Sequence, residues 1–490
     1  MGTKKGMKVL FVSSEIAPFA KTGWLADVCE ALPKALVSSG VAPTLVLPLY
    51  RHVREGDWPL ELVGTDLPVQ VGTDEITANI YKSSLTDDIP VFFVERDEFF
   101  DRSYLYGTPR GDYFDNAQRF NFFCKAIIAL TEVLDVRWDI IHCHDWQTAL
   151  LPVYLKTVLA AHSLFANTKT VFTIHNLGYQ GLFAADTFSG LGLPYRLFAV
   201  EGLEFYGKVN FLKGGIVFSD WVTTVSPTYA KEIQTPEFGH GLEGVLKAAE
   251  KKLVGILNGV DYSAWGPETD SYLVAQYGVE NLKGKRRCKE DLLEQYQLAP
   301  DLAEKPLLGM ISRLAGQKGI DLLCEVVERL MATGAGLVLL GSGEEKYERI
   351  LTELASKYPR QMGVRIDFDE SLAHKIEAGC DMFLMPSRYE PCGLNQMYSL
   401  RYGTLPIVRR TGGLADTVTE VNPKKGKGTG FTFSEYDPDA LWGAIGKALH
   451  CFGDGQLWTR LVKQAMEADF SWSKSAREYL RLYRQVRSKL

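Results

Sequence analysis

The chain has 490 residues, of which 46% are hydrophobic and 23% charged, and its formal net charge at pH 7 is -6. This composition is that of an ordinary globular protein and excludes the disordered and fibrous classes. The negative net charge argues against a nucleic-acid-binding protein, because a surface that follows phosphates is usually basic. The length exceeds one compact core, so we expect two large domains or about three of ~150 residues.

The first part of the chain alternates strand-like and helix-like patterns. A short apolar run at 8–14 is followed by Leu25–Leu36, in which apolar residues recur at helical spacing, and then by a second apolar run at Pro43–Pro48. Pro33 would kink this helix without excluding it. The order strand, helix, strand is typical of a parallel sheet with its loops at the carboxyl ends.

The same alternation continues to the end of the chain. Further strands are predicted at Val91–Glu95, Asp139–Cys143, Thr170–Ile174, Trp221–Val225, Leu307–Ile311, Gly336–Leu340, Val364–Phe368, Met382–Met385 and Leu405–Val408. Helices are predicted at Asn116–Val133, Thr148–Leu159, Ile320–Thr333, Glu344–Lys357 and Ser473–Lys489.

The pattern restarts after Leu253–Asp261, which predicts two doubly wound α/β domains with a hinge near 253–262. We assign residues 1–253 to the first Rossmann-like domain and 254–468 to the second. The sequence leaves open whether the final helix, within 469–490, returns to the first domain. Ligands of doubly wound sheets bind beyond the carboxyl ends of the strands, so two such domains facing each other would form a deep substrate cleft.

The eight cysteines are scattered, with no Cys-x-x-Cys pair and no Cys/His spacing typical of a metal site. Most stand among apolar residues, which indicates buried thiols and a reducing compartment. No stretch reaches the ~20 apolar residues of a membrane span, and Met7–Val12 is too short for a signal-peptide core. We therefore expect a soluble, cytoplasmic protein that binds neither membrane nor nucleic acid.

A glycine loop with a lysine follows the first predicted strand. Lys21, Gly23 and Asp27 stand where the chain enters a helix, and exposed N–H groups with a helix dipole favour a phosphate there. The loop matches neither a Walker A motif nor a GxGxxG fingerprint. A solvent-exposed lysine in a turn is therefore an equally good interpretation.

Polar residues also follow two later strands of the first half. The run His142-Cys143-His144-Asp145-Trp146 combines a carboxylate, two imidazoles and an indole, which suit the hydroxyls and the ring face of a sugar. Zinc is the rival ligand, but a third ligand at a usual spacing is missing. His175 and Asn176 form a second polar strand end. A single histidine there is more often structural, and two polar strand ends in one sheet make a binding site an equally good interpretation.

The second half has its own polar strand ends. Arg313 offers a planar fork and Lys318 a point charge, both suited to a diphosphate, although two surface cations are the alternative. Glu390 lies in a tight Pro/Gly loop, and Thr411 opens the glycine turn after the next strand. Cys392 is a rival nucleophile, but no triad partner stands out.

Taken together in chain order, the motifs resemble those of bacterial glycogen synthases and plant starch synthases. They are KVLFVSSE, KTGxLADV, HDW, TIHNLGYQG, SRLxxQKG, SRYEPCGL, RRTGGLADTV and FSWSKSA. The resemblance covers nearly the whole chain, and SRYEPCGL and HNLGYQG are its most diagnostic parts. It implies the GT-B fold, transfer of glucose from ADP-glucose to the non-reducing end of an α-1,4-glucan (glycogen or starch) with retention of configuration, and no metal or other cofactor.

The resemblance also implies roles for individual residues. The residues that it places on the diphosphate are Lys21, Arg313 and Lys318. Those around the transferred glucose are Asp145, His175, Asn176 and Glu390. Backbone N–H groups near the donor belong to Gly23, Gly393 and Leu394, and Phe368 matches an aromatic position over adenine. The candidate catalytic residues are Asp145, His175, Glu390, Arg313 and Lys318. Other motif residues expected at the substrates are Asp27, Trp146, Tyr179, Gln180, Asn258, Cys392 and Thr411.

Two positions depart from the family pattern. Tyr398 stands eight residues after Glu390, where related retaining transferases have a second glutamate. Trp24 replaces a glycine of the first loop, where a left-handed backbone would make the indole costly. Two alternatives stay open: a GT-B glucosyltransferase that uses UDP-glucose or another acceptor, and a glucan-binding paralogue whose donor site Trp24 obstructs. The sequence leaves the oligomeric state open.

Overall fold

The computed structural model describes residues 6–488, which form two compact units. The first unit consists of the chain up to Val225, residues 230–259 and the chain from Trp472 onward. The second consists of Ser226–Tyr229 and Val260–Ser471. The units therefore separate at Gly259, whereas the sequence predicts a boundary after residue 253. Residues 1–5 and 489–490 of the predicted domains, including the end of the predicted last helix, lie outside the described residues.

The first unit is built on a mostly parallel sheet. The strands of the whole unit, in that sheet and outside it, are β1 (Met7–Val12), β2 (Val41–Pro48), β3 (Glu61–Val71), β4 (Asp74–Thr86), β5 (Ile89–Glu95), β6 (Gly107–Thr108), β7 (Gly111–Asp112), β8 (Ile140–His144), β9 (Lys169–Ile174), β10 (Leu182–Ala184), β11 (Glu204–Phe205), β12 (Lys208–Asn210), β13 (Trp221–Thr224) and β14 (Leu253–Gly255). In the described residues the main sheet has the order β14-β13-β9-β8-β1-β2-β5-β4-β3. In this sheet β4 runs antiparallel to both of its neighbours, β3 and β5, and the other strand pairs are parallel. The strand order reverses between β1 and β8, so a switch point for ligands lies there.

β3 and β4 were not predicted from the sequence. They form an antiparallel ribbon at the edge of the sheet, and most of their residues are exposed or half-buried. The buried apolar positions are Leu67 and Val69 on β3 and Ala78 and Ile80 on β4. Because so few positions face the core, no continuous apolar run marks these strands. Their short alternation of period two was the available signal.

Helices flank the strands of the first unit. In the chain up to Gly259 the helices are α1 (Trp24–Val37), α2 (Arg51–Arg54), α3 (Asp97–Phe100), α4 (Asn116–Leu134), α5 (Leu150–Lys156), α6 (Phe211–Phe218), α7 (Pro227–Glu232) and α8 (Glu243–Ala248). The first residues of α7, up to Tyr229, are assigned to the second unit. α1 continues through Pro33, whose ring is buried, so the proline does not end the helix. Over residues 6–488, no helix combines the length and the apolar character that crossing a membrane requires.

The second unit has a fully parallel sheet. Its strands are β15 (Leu307–Ile311), β16 (Gly336–Leu340), β17 (Met362–Arg365), β18 (Met382–Met385), β19 (Leu405–Arg409) and β20 (Phe431–Phe433). Its helices are α9 (Lys283–Gln295), α10 (Ile320–Ala332), α11 (Glu345–Lys357), α12 (Glu370–Gly379), α13 (Asn395–Tyr402), α14 (Gly412–Thr417), α15 (Pro438–Phe452) and α16 (Gly455–Met466). The order β17-β16-β15-β18-β19-β20 is that of a Rossmann sheet, and it reverses between β15 and β18. The strand predicted at Val364–Phe368 is wrong at its end, because β17 stops at Arg365.

The last helix, α17 (Trp472–Ser488), belongs to the first unit and packs against α1. Tyr479, Tyr483 and Val486 on its inner face are buried. The hydroxyl of Tyr483 lies 2.7 Å from Nδ1 of His142, a fully buried imidazole on β8. The C-terminal helix therefore provides a hydrogen-bond partner for a buried histidine in the main sheet of the first unit.

We predict that Tyr483→Phe lowers the free energy of unfolding of the first unit by about 1–3 kcal/mol, because it leaves a buried ring nitrogen without a partner. Chemical denaturation followed by far-UV circular dichroism measures this loss. In a His142→Phe background the same substitution should cost almost nothing, since the partner nitrogen is gone. An equal loss of stability in both backgrounds would contradict the hydrogen bond between Tyr483 and His142.

Candidate functional site

A buried carboxylate organises the loop after β1. Glu15 accepts hydrogen bonds from the hydroxyl of Thr22 at 2.7 Å, the N–H of Gly23 at 3.3 Å and the hydroxyl of Tyr106 at 2.6 Å. These bonds fix the segment that carries Lys21. Glu15 and Tyr106 were not among the predicted site residues. The signal for Glu15 was its place at the end of the first strand, directly before the glycine loop.

Lys21 is half exposed and forms an ion pair with Asp27, with 2.7 Å between Nζ and Oδ1. Burial raises the pKa of Asp27, while the Lys21 ammonium acts in the opposite direction. The structure thus brings two predicted residues, Lys21 and Asp27, together as an ion pair. A phosphate bound by Lys21 would compete with Asp27 for it.

Neither Gly23 nor Trp24 has the left-handed backbone that would strain a tryptophan in this loop. Gly23 has φ -160° and ψ -168°, an extended conformation open to any residue, and a Cβ there would meet nothing within 4 Å. Its N–H points to Glu15 rather than being kept for a ligand. Trp24 is the first residue of α1 and does not have a positive φ, so the left-handed strain is absent. Its side chain is 44% exposed.

The carboxyl ends of β8 and β9 bring Asp145 and His175 together. Oδ1 of Asp145 accepts the backbone N–H of His175 at 2.7 Å, and Asp145 has φ 55°, a conformation that costs energy outside glycine. Burial raises the pKa of Asp145 to about 7, and the negative charge of Glu15 adds to this effect. At neutral pH this carboxyl group is therefore able to hold or release a proton.

The side chain of His175 is neutral at pH 7, because burial lowers its pKa to about 3. Its Nε2 lies 2.9 Å from Nδ1 of His144. Asn176, the next residue, is half-buried, and its Oδ1 accepts the N–H of Gly178 at 2.9 Å. His142, by contrast, is fully buried in the sheet and does not reach this edge.

Two residues that the sequence predicts at the substrates, Trp146 and Gln180, are buried in the structure. Trp146 is buried and packs against the rings of Phe120, Phe183 and Phe211, so it is not an open surface for a sugar ring. Its packing also explains Gly181, whose added Cβ would come within 2.6 Å of the indole.

Gln180 has a structural role as well. Its amide donates to the backbone carbonyl of His240 at 3.1 Å and accepts from Asn210 at 2.7 Å. Tyr179, in contrast, is 56% exposed, and Asn258 is buried with Oδ1 lacking a partner among the described residues. Of these three motif residues, only Tyr179 is exposed to solvent, because the unpaired Oδ1 of Asn258 is enclosed by the protein.

In the second unit, Lys318 and Glu390 form a shielded ion pair. Nζ of Lys318 lies 2.6 Å from Oε2 of Glu390, which also accepts the hydroxyl of Ser387 at 3.1 Å. Gly319 follows Lys318 with φ +74°, and a Cβ there would come within 2.1 Å of the carbonyl oxygen of Pro386. Only glycine allows the two loops to approach this closely.

Arg313 lies on the same loop as Lys318 but is exposed, with Nη2 3.4 Å from Oε1 of Gln317. Gln317 joins the two loops, since its carbonyl accepts the N–H of Arg388 at 2.8 Å. Two of the three cations predicted for the diphosphate therefore lie on the loop after β15, Lys318 shielded and Arg313 open to solvent.

A glycine pair packs against the Glu390 loop. A Cβ at Gly412 would lie 1.9 Å from the carbonyl oxygen of Glu390, and one at Gly413 would lie 2.0 Å from that of Cys392. Gly393 has φ +71° and precedes α13. The predicted residues Cys392, Leu394 and Thr411 are buried in this contact. The Cys392 side chain thus contributes to packing, and a role as nucleophile gains no support.

Two aromatic residues of the second unit differ in their surroundings. Phe368 is 87% exposed and lies between β17 and α12, so its ring is open to a ligand. Tyr398 is buried and stacks on Trp265, with ring centroids 4.1 Å apart and an interplanar angle of 5°. The residue eight positions after Glu390 is therefore a core aromatic.

Within residues 6–488, no three His, Cys, Asp or Glu side chains are grouped so that they could hold a metal ion. The zinc alternative for His142, His144 and Asp145 therefore finds no ligand set among them.

Comparisons with known proteins agree along the whole chain. A family model described as starch synthase catalytic domain matches residues 8–248, and one described as glycosyl transferases group 1 matches residues 299–466. The chain is 48% identical over 482 residues to a glycogen synthase of Koribacter versatilis, covering 98% of each chain. It is 48% identical over 491 residues to that of Thermotoga petrophila, covering 99% of this chain and 100% of the relative.

A solved structure has the same fold over the same length. The catalytic domain of starch synthase IV from Arabidopsis thaliana, bound to ADP and acarbose, matches with a TM-score of 0.90 and 35% identity, covering 99% of this chain and all of that one. A sucrose-phosphate synthase from Thermosynechococcus elongatus matches with a TM-score of 0.59 at 17% identity, a likeness of fold alone.

We predict that Asp145→Asn stabilises the protein more at pH 8 than at pH 5. The pKa of Asp145 is raised from 3.8 to about 7, so the folded state binds this proton more tightly than the unfolded state does. The resulting stabilisation is complete below pH 4 and is lost as the pH rises through about 7. An amide has no such dependence, and its oxygen can still accept the N–H of His175.

Thermal unfolding midpoints between pH 5 and pH 8 measure this difference. Asp135→Asn is the matched control, because Asp135 also has a positive φ, 47°, but is exposed. Its effect should be the same at both pH values. A pH-independent effect of Asp145→Asn would contradict the raised pKa.

Proposed function

We propose the substrates of this chain from one established premise: it belongs to the family of glycogen and starch synthases. It is accordingly a glycosyltransferase of glycogen synthesis, with two Rossmann-like domains of the GT-B class. The observation that carries the assignment is identity of 48% over 98% of the chain to a curated glycogen synthase. We propose that it transfers glucose from ADP-glucose to the 4-hydroxyl at the non-reducing end of an α-1,4-glucan.

The cations of the two units support a nucleoside diphosphate leaving group. Lys21 stands on a loop fixed by Glu15, and Lys318 and Arg313 share the loop after β15 in the second unit. The departing diphosphate gains negative charge in the transition state, and positioned cations lower the barrier where that charge develops. A starch synthase binds ADP in the Arabidopsis structure, which favours adenine over uracil as the base.

Polar groups at the strand ends support a sugar substrate. Asp145 and His175 offer a carboxyl group and an imidazole beside the half-buried Asn176. Glu390 offers a second carboxylate, held in place by Lys318 and Ser387. Sugar hydroxyls both donate and accept hydrogen bonds, so acid, amide and imidazole groups together match them.

We propose retention of configuration by displacement on the same face of the sugar, assisted by the departing phosphate. Asp145 already accepts a backbone N–H, and Glu390 is paired with Lys318, which leaves both carboxyl groups better suited to charge stabilisation than to covalent attack. The anomeric configuration of the first-formed linkage, measured by proton NMR, tests this point. An inverted product would refute it.

Three further points belong to the same proposal. The reaction needs no metal ion or other cofactor, because fixed cations supply the charge that Mg²⁺ supplies in other phosphoryl sites. The acceptor is a glycogen-type or starch-type glucan, and the enzyme works in the cytoplasm. The second candidate function, a glucan-binding protein with an obstructed donor site, rests on the exposed Trp24 beside the Lys21 loop.

Incubation of the protein with labelled ADP-glucose and glycogen tests the proposed function. We expect label in the glucan, slower transfer from UDP-glucose, and full activity in excess EDTA. Faster transfer from UDP-glucose would overturn the choice of donor. Binding of glycogen without incorporation of label would favour the non-catalytic alternative, and loss in EDTA that Mg²⁺ restores would refute metal independence.

We predict that Lys318→Ala lowers kcat/KM about a hundredfold, the size of one lost electrostatic contact in a transition state. It also leaves the buried Glu390 carboxylate without its ammonium partner. Initial-rate kinetics with ADP-glucose measure the effect. Lys346→Ala, which removes an exposed, ion-paired lysine of the same unit, should change kcat/KM less than twofold. A loss under threefold in a folded Lys318→Ala protein would remove Lys318 from the site.

We predict that Trp24→Gly raises kcat/KM for ADP-glucose at least fivefold, about 1 kcal/mol of transition-state stabilisation. The reason is steric, since the exposed indole stands directly after the Lys21–Gly23 loop. Trp24→Ala keeps better helix propensity at the start of α1 and should give a similar gain. If both variants are equal to or slower than the parent, the indole is an adapted part of the site.

A further inference from the structure

Two neighbouring strands place a pair of imidazoles in direct contact. His144 is the last residue of β8 and is paired in register with Thr173 of β9, two residues before His175. Nδ1 of His144 lies 2.9 Å from Nε2 of His175. His144 is fully buried, whereas His175 is partly exposed at the strand end. One member of the pair can therefore meet a substrate, and the other cannot.

Both imidazoles are neutral at physiological pH. Burial lowers the pKa of His175 to about 3, and burial together with the neighbouring imidazoles holds the pKa of His144 well below its usual value. A neutral imidazole carries one N–H, so one ring of the pair donates and the other accepts. The direction of the hydrogen bond therefore fixes the tautomer of both rings.

The second nitrogen of His144 distinguishes the two directions. Its Nε2 is buried and has no hydrogen-bond partner among the described residues. If His175 donated, the proton of His144 would sit on Nε2 as a buried donor with no acceptor. If His144 donates from Nδ1, its Nε2 is an unprotonated lone pair. An unpaired buried N–H is the rarer and costlier of these two states.

The surrounding rings fix the orientation of His144. Phe11 of β1 stacks near it, with ring centroids 6.1 Å apart and an interplanar angle of 18°, and the ring of His142 lies 4.2 Å away. His142 is itself held at both nitrogens, by Tyr483 at 2.7 Å and Thr173 at 2.6 Å. The His144 ring thus packs against Phe11 and His142, and His142 cannot turn without breaking buried hydrogen bonds.

We propose that His144 is a positioning residue, which donates from Nδ1 to Nε2 of His175 and holds His175 in the tautomer protonated at Nδ1. The ring nitrogen of His175 that is left for the substrate is then an N–H donor, suited to a sugar hydroxyl oxygen. The part of this inference that concerns the sugar rests on the proposed function, whereas the tautomer does not.

The tautomer is measured directly in the wild-type protein. In protein labelled with ¹⁵N-histidine, long-range ¹H–¹⁵N spectra separate protonated from unprotonated ring nitrogens, and His175→Asn identifies the signals of His175. We expect a protonated Nδ1 and an unprotonated Nε2 in His175. Protonation of His175 at Nε2 overturns the proposal. This result decides the matter even if the protein has no transferase activity.

Kinetics of variants test the consequence for transfer of glucose. His144→Leu removes the donor and should lower kcat/KM about tenfold, the size of one hydrogen bond. His144→Asn keeps a side-chain N–H near the position of Nδ1 and should recover activity to within about threefold of wild type. His142→Phe is the matched control, since it keeps a ring against His144 and removes the nitrogens of an equally buried imidazole that has no bond to His175.

We expect His142→Phe to lower stability while changing kcat/KM less than threefold. Equal losses of activity in His142→Phe and His144→Leu, or no recovery in His144→Asn, would reduce His144 to a packing residue and overturn the proposal. If His144→Leu does not fold, the wild-type spectrum still decides it. An inactive wild-type protein with the expected tautomer would refute the proposed function and leave the positioning role standing.

Discussion

In a parallel sheet every strand ends at the same edge, and this constraint organises both units of the protein. In the first unit it brings together the loop after β1 and the ends of β8 and β9, which carry Lys21, Asp145 and His175. In the second unit it brings the loop after β15 beside the loop after β18, so that Lys318 meets Glu390. Residues far apart in the chain become neighbours without any long-range signal in the sequence.

The polar groups at these edges are held at a cost in stability. Asp145 combines a positive φ with a carboxyl group whose pKa burial raises, and His144 keeps a buried nitrogen without a partner among the described residues. Such features persist where the surrounding structure enforces them, and they concentrate at functional sites. Here the enforcing contacts are the strand register, the stacked ring of Phe11 and the tilted ring of His142.

Glycines mark where the backbones of two loops must touch. Gly319, Gly412 and Gly413 each approach a carbonyl oxygen too closely for any Cβ, and all three support the loop of Glu390. Gly23 is different, because it is extended and open to side chains. A glycine therefore marks a close backbone contact at these three positions of the second unit but not at Gly23. Trp24, the next residue, starts a regular helix without a positive φ.

The sequence by itself determined the family, the two doubly wound domains and most of the central strands, because apolar runs and ordered motifs are local patterns. It did not reveal the exposed edge strands β3 and β4, whose few buried positions form no run. Nor could it separate Trp146 and Gln180, which are packed in the core, from Asp145 and His175, since all four lie in equally strong motifs. Only the tertiary structure decided which of these side chains are enclosed by other elements, and only it identified Glu15 and His144 as the groups that hold the site in place. Burial and hydrogen-bond partners depend on contacts between distant segments, which no local pattern encodes.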